Sequence, residues 1–206
     1  KLFNFLKAEK YLEDSLFIVT SDHGESFGDH GMLGHGGTLY QNILKVPLVI
    51  SSESFSESES YNNLVSLVSL APTIMSFLDL DYNESEFSAP SLINDNFSSK
   101  YVYAEQGKMN LNDADRFYRF SSRTIISSKY KYITYSNGKE ELYSLEKDPN
   151  ELYNIANVDP SKAEELASNL NQFYASIKSR VEDSDSVSEM DNDVKRELEI
   201  LGYVSK

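Results

Sequence analysis

The chain has 206 residues, 40% of them hydrophobic and 25% charged, enough for one sizeable core or for part of a larger domain with a small one beside it. A formal net charge of -14, from 33 acidic against 19 basic residues, argues against a nucleic-acid footprint and against docking on anionic lipid. There is no cysteine, which excludes disulfides, thiolate metal sites and cysteine nucleophiles within the chain, and no run approaches the ~18–20 apolar residues of a membrane span.

The first residues, KLFNFLKAEKYLED, place Leu2, Phe3, Leu6 and Leu12 at helical spacing. Charges are interleaved and no small-residue cleavage site follows, so the segment is not a signal peptide. A start without Met, inside an amphipathic helix, is what a fragment is expected to show. The apolar run LFIVT at 16–20 predicts a strand buried on both faces of a parallel sheet. Residues 21–37 read as a loop, punctuated by Gly24, Gly28, Gly31, Gly34, Gly36 and Gly37. VPLVI at 46–50 predicts a second buried strand, with Pro47 at its start. The Ser/Glu stretch at 51–60 is a solvated loop, and Pro72 suits the first turn of a helix running to about Leu80. Residues 81–99 are polar, interrupted by Pro90, and read as an irregular connection.

A different texture begins near residue 100. Residues 101–104, 117–120, 124–127 and 130–135 have strand composition, Asn137-Gly138 is a strong hairpin signal, and 141–145 is the returning strand. Strands in close succession imply an antiparallel sheet. Asp159-Pro160 opens a helix with Leu166, Leu170, Phe173 and Ile177 on one stripe. Residues 182–193 are acidic and read as mobile, and a last helix near 194–201 stops at Gly202.

Chemistry concentrates in one stretch, TSDHGESFGDHGMLGHG at 20–36, which holds all 3 histidines of the chain. It follows a strand, and open α/β sheets place their sites at carboxyl ends of strands. Asp22 and His23 offer a carboxylate and an imidazole side by side, and a divalent cation accepts such ligands. An imidazolium at His35 could bind an anionic ester or protonate a leaving oxygen. Taken singly, Asp-His-Gly is common in turns, where Asp bonds nearby amides. The confinement of every histidine to one glycine-rich loop favours the metal reading. His30 is the weakest of the three and also suits a residue that bonds the loop to itself.

The segment SDHGESFGDHGMLGHGGTLYQNILKVPLVI at 21–50 resembles the sulfatase branch of the alkaline-phosphatase superfamily. Further matches follow in order. LAPTI at 70–74 resembles the family's helix start, with Ser69 where Asp is usual; KYKYI at 129–133 and ELYSLEKDPNE at 141–151 resemble its late signature; LGY at 201–203 resembles its C-terminus. The resemblance implies an α/β fold: residues 1–99 as the C-terminal portion of a sulfatase-like α/β sandwich, and 100–206 as a small antiparallel-sheet subdomain with packed helices. It implies a metal-dependent sulfuric-ester hydrolase in which Asp22 and His23 are metal ligands. His35, standing where many relatives have Lys, is the catalytic and substrate-binding residue, with His30 a second substrate contact. The implied metal is Ca2+, with Mn2+ or Zn2+ as alternatives, and the implied partner is a sulfate ester.

The family nucleophile is a formylglycine made from Cys or Ser in a Cys/Ser-x-Pro-x-Arg motif. Neither form occurs here: there is no Cys, and the 5 prolines give no Ser-x-Pro-x-Arg. The nucleophile and the early aspartate ligands are therefore expected in a missing N-terminal half, and this chain is expected to be inactive. Exposed apolar surface on a remnant sheet implies self-association. A phosphoester or phosphonate hydrolase, or a phosphotransferase, of the same superfamily is the second reading; a non-catalytic binding or assembly protein is the third.

Overall fold

The computed structural model describes residues 1–55, 60–93, 97, 99–107 and 119–183, arranged in two units, 1–168 and 169–206. In the first unit, four strands form an antiparallel meander in the order β5 (Val102–Gln106), β6 (Ser122–Ile126), β7 (Tyr130–Tyr135) and β8 (Glu140–Ser144). The Asn137-Gly138 turn joins the last two. Gly138 takes φ +84, a left-handed value that costs glycine little, and the Asn137 carboxamide accepts the Lys139 amide at 3.1 Å. Register follows from that turn, with Tyr132 opposite Leu142 and Ile133 opposite Glu141. Ile125, Tyr132, Ile133 and Leu142 are fully buried, as the mixed aromatic and β-branched composition predicts.

The expected strand at 117–120 is not formed at Arg119 and Phe120, while Phe117 and Tyr118 lie outside the described residues. The helix expected near 194–201, Gly202 and the LGY match also lie outside them.

The apolar runs of the first half do form strands, β1 (Phe17–Thr20) and β4 (Leu48–Ser51), but they pair antiparallel, with Thr20 opposite Leu48. The expectation of parallel strands buried on both faces is therefore corrected. The chain leaves β1 and rejoins β4 at the same end, where the Thr20 hydroxyl donates to the Pro47 carbonyl at 2.8 Å. An antiparallel return needs no crossover, and such a pair can leave a face in solvent. Val19 and Val49, direct cross-strand partners, are 45% and 55% exposed. Helix α1 (Leu2–Ala8) is shorter than its pattern suggests and buries no residue.

Between β1 and β4 the chain makes a small hairpin of β2 (Ser26–Phe27) and β3 (Leu33–Gly34), then a single helical turn, α2 (Gln41–Leu44). This segment is anchored on the meander. Leu39 and Tyr40 form one buried cluster with Ile133 and Tyr143, and Leu44, Ala104 and Tyr135 pack against it. Helix α3 (Leu70–Phe77) starts near Pro72, as the sequence predicts, and ends three residues before Leu80. Helix α4 (Pro160–Asp183) begins at a side-chain cap, Asp159 accepting the Lys162 amide at 3.1 Å, and continues into the second unit. Leu166 and Leu170 of its predicted stripe are buried, and Glu182 and Asp183, expected to be mobile, are its last residues. No helix among the described residues is long and apolar enough to cross a membrane.

Candidate functional site

The histidine loop leaves the carboxyl end of β1. Ser21 donates from its hydroxyl to the His23 carbonyl at 2.6 Å, and the His23 amide donates to Asp22 Oδ1 at 3.0 Å. These short-range bonds make the tight turn that aims Asp22 and His23 outward. Gly24 is required by close approach: its amide donates to the Ile43 carbonyl at 2.7 Å, and a Cβ there would sit 2.0 Å from the Asn42 carbonyl oxygen. The loop thus rests on α2, which rests on the meander. At the β2–β3 hairpin the Ser26 hydroxyl donates to the Met32 carbonyl at 2.9 Å.

Four site side chains meet in a chain of contacts. The rings of His23 and His35 stack at 4.2 Å between centroids with planes 22° apart. His35 Nδ1 lies 3.2 Å from Glu25 Oε2, and His23 Nε2 lies 3.7 Å from Asp22 Oδ2. The tautomer of neutral His23 follows from its other nitrogen. Nδ1 is 2.8 Å from the Gly24 carbonyl, which only accepts, so Nδ1 carries the hydrogen. The lone pair of Nε2 then faces the Asp22 carboxylate. That carboxyl is exposed and held below the usual carboxylate range, chiefly by the His23 amide that donates to it.

Two lone-pair donors 3.7 Å apart suit one divalent cation bound ~2.0–2.4 Å from each. The pair is not a complete site: no group of three or more His, Asp or Glu residues among those described is placed to hold a metal. The donor set fits two positions of a coordination sphere and leaves the others to groups outside this cluster.

His30 makes different contacts. It takes φ +54 in the 3-10 turn Asp29–Gly31, and its ring stacks face to face on Tyr40 at 3.7 Å. Glu25 is the site residue that sequence reasoning misses. The signal was available: with Ser26 opposite Gly34 in the hairpin, the next positions outward are Glu25 and His35. Reading the glycines at 28 and 31 as a hairpin rather than a loop would have placed them together.

Against this geometry, the sulfatase family model matches residues 1–80. Arylsulfatase K of Bos taurus is 32% identical over 179 residues, covering 81% of this chain and 31% of that protein. The chain belongs to the sulfatase family. An arylsulfatase of Clostridium perfringens is 27% identical over 160 residues, covering 73% of this sulfatase-family chain and 31% of the relative. The chain spans about a third of the length of the curated relatives it matches. In fold it is similar to the phosphonate monoester hydrolase of Agrobacterium radiobacter, with a TM-score of 0.71, 24% identity, and coverage of 85% of this chain and 38% of that one. That likeness is one of fold: the mixed α/β architecture and its antiparallel sheet follow that structure over part of its length. The late signature ELYSLEKDPNE, which the family model does not reach, forms β8 and the turn after it.

Proposed function

We propose that this chain carries part of the active site of a metal-dependent sulfuric-ester hydrolase, with Asp22 and His23 as two metal ligands and His35 as the contact to the anionic ester. The observation that carries it is the 3.7 Å approach of His23 Nε2 to the Asp22 carboxylate, beside the stacked ring of His35. Glu25 orients the His35 ring through its Nδ1, and in this reading the ring meets a sulfate or leaving-group oxygen. His30 remains a second substrate contact in this reading, although its stacking on Tyr40 favours a role in holding the loop.

A bound divalent cation, Ca2+ by family habit, would supply a positive charge against the sulfate oxygens. Calcium takes about six to eight oxygen ligands. Two protein donors therefore bind it weakly, and the remaining ligands and the formylglycine nucleophile are assigned to sequence beyond these residues, in the same parent enzyme. On this reading residues 1–99 belong to the catalytic domain and residues 100–206 to a C-terminal subdomain that supports it.

The test uses the purified chain with an aryl sulfate and Ca2+. No cleavage is expected, because the chain has no Cys and no Ser-x-Pro-x-Arg. The ester is expected to shift the His35 ring resonances in NMR spectra, and His35→Ala to abolish ester-dependent shifts at His23. Turnover by the chain, or the same shifts at His23 in the variant, overturns the assignment.

A further inference from the structure

A buried cation lies outside the site and its chemistry. Lys131, on β7, is 0% exposed and pairs with Glu151, itself 2% exposed, at 2.7 Å, with the Glu141 charge also acting on it. The contact is an ion pair rather than a well-aligned hydrogen bond. A buried ion pair is weak evidence for stability, since apolar residues of similar volume often serve as well. What the pair does is visible at the other carboxylate oxygen: Glu151 Oε2 accepts the Gln41 amide at 2.6 Å. Gln41 is the first residue of α2. The neighbouring residue is held from the same block, with the Tyr40 hydroxyl donating to buried Glu141 at 3.1 Å.

From Gln41 the contacts run back to the site through single hydrogen bonds. α2 carries Asn42 and Ile43, the backbone on which Gly24 rests, and the Gly24 carbonyl holds His23 Nδ1. We propose that Glu151, held in place by Lys131, is a positioning residue for the histidine loop: its carboxylate fixes α2 and, through Gly24, the orientation of His23. What the loop then does rests on the metal-site reading above. The positioning itself does not, and it is measured without metal.

The experiment is amide hydrogen exchange by NMR on the full chain, with two variants that cut the same link from opposite sides. Gln41→Pro removes the donor and leaves the Lys131–Glu151 pair whole. Proline suits the first position of a helix, and Tyr40 before it already has φ -74 and ψ 161, which proline tolerates. The double variant Lys131→Met/Glu151→Leu removes the acceptor and the buried cation together. Each is expected to lower protection of the Gly24 amide by about tenfold, while Ile125 and Tyr132 of the meander keep theirs. Unchanged Gly24 protection in Gln41→Pro overturns the proposal. So does an equal loss at Ile125 and Tyr132 in both variants, which would make the pair a general stabiliser. Failure of Mn2+ to bind at Asp22 and His23 would count against the metal reading alone.

Discussion

At the scale of single residues, ring and carboxylate contacts join Asp22, His23, His35 and Glu25 in one cluster. Asp22, His23 and His35 stand out because every histidine falls in one loop, and the fold does bring His23 and His35 into ring contact. Glu25 was hidden because a carboxylate ten positions from its partner shows no periodicity until the hairpin register is known. Gly24 looked like one glycine among many, yet a side chain there has no room. Gly24→Ala forces a Cβ to within 2.0 Å of the Asn42 carbonyl oxygen and is expected to destabilise the chain by about 1–3 kcal/mol in urea unfolding. Asp22→Asn, by contrast, changes an exposed side chain and is expected to leave the urea midpoint within about 0.5 kcal/mol of wild type. A large loss in Asp22→Asn, or none in Gly24→Ala, would reverse these roles.

At the scale of elements, the meander was legible and the β1–β4 pair was not. Asn137-Gly138 fixes a hairpin through backbone conformation alone, and its flanking residues alternate accordingly. LFIVT and VPLVI carry no such punctuation. A continuous apolar run fits a buried parallel strand and a short antiparallel one equally, and direction depends on where the connecting loop returns. The contacts of the ELY block were also illegible, because they join residues about a hundred positions apart. They carry a pH signature. Burial, and then the Glu141 charge, push the Tyr40 phenol up to about 12 and raise Tyr135 and Tyr143 as well. Unfolded tyrosines ionise near 10 while these stay protonated, so stability falls as pH rises above about 10. Lys131 works the other way: burial, partly offset by Glu151, pulls it down to about 8 from 10.5. Between those values the unfolded chain binds the proton and the folded chain does not, so stability rises with pH across that window. The urea midpoint is therefore expected to climb from pH 8 to about 10 and drop above it. Lys131→Met should flatten the climb and keep the drop; a monotonic profile in wild type would refute the pairing of the two effects.

At the scale of the whole chain, its match to about a third of each curated relative sits beside a surface that is apolar in patches. Val19 faces Val49 across one strand pair and Phe27 faces Leu33 across the hairpin, all four exposed. Self-association through the β1–β4 pair is expected in sedimentation at tens of micromolar, and Val49→Lys is expected to reduce it; a wild-type monomer throughout would remove this expectation. The family was legible in the sequence because several motifs recur in order, and the family model over residues 1–80 supports that reading. The metal roles are a finer matter, tested most directly by titrating the chain with Mn2+ and following the ring signals of its 3 histidines by NMR. If Asp22 and His23 are a ligand pair beside His35, the His23 and His35 rings broaden together at low Mn2+, and Asp22→Asn abolishes that selectivity. Equal broadening of His30, or selective broadening that survives in Asp22→Asn, would contradict it.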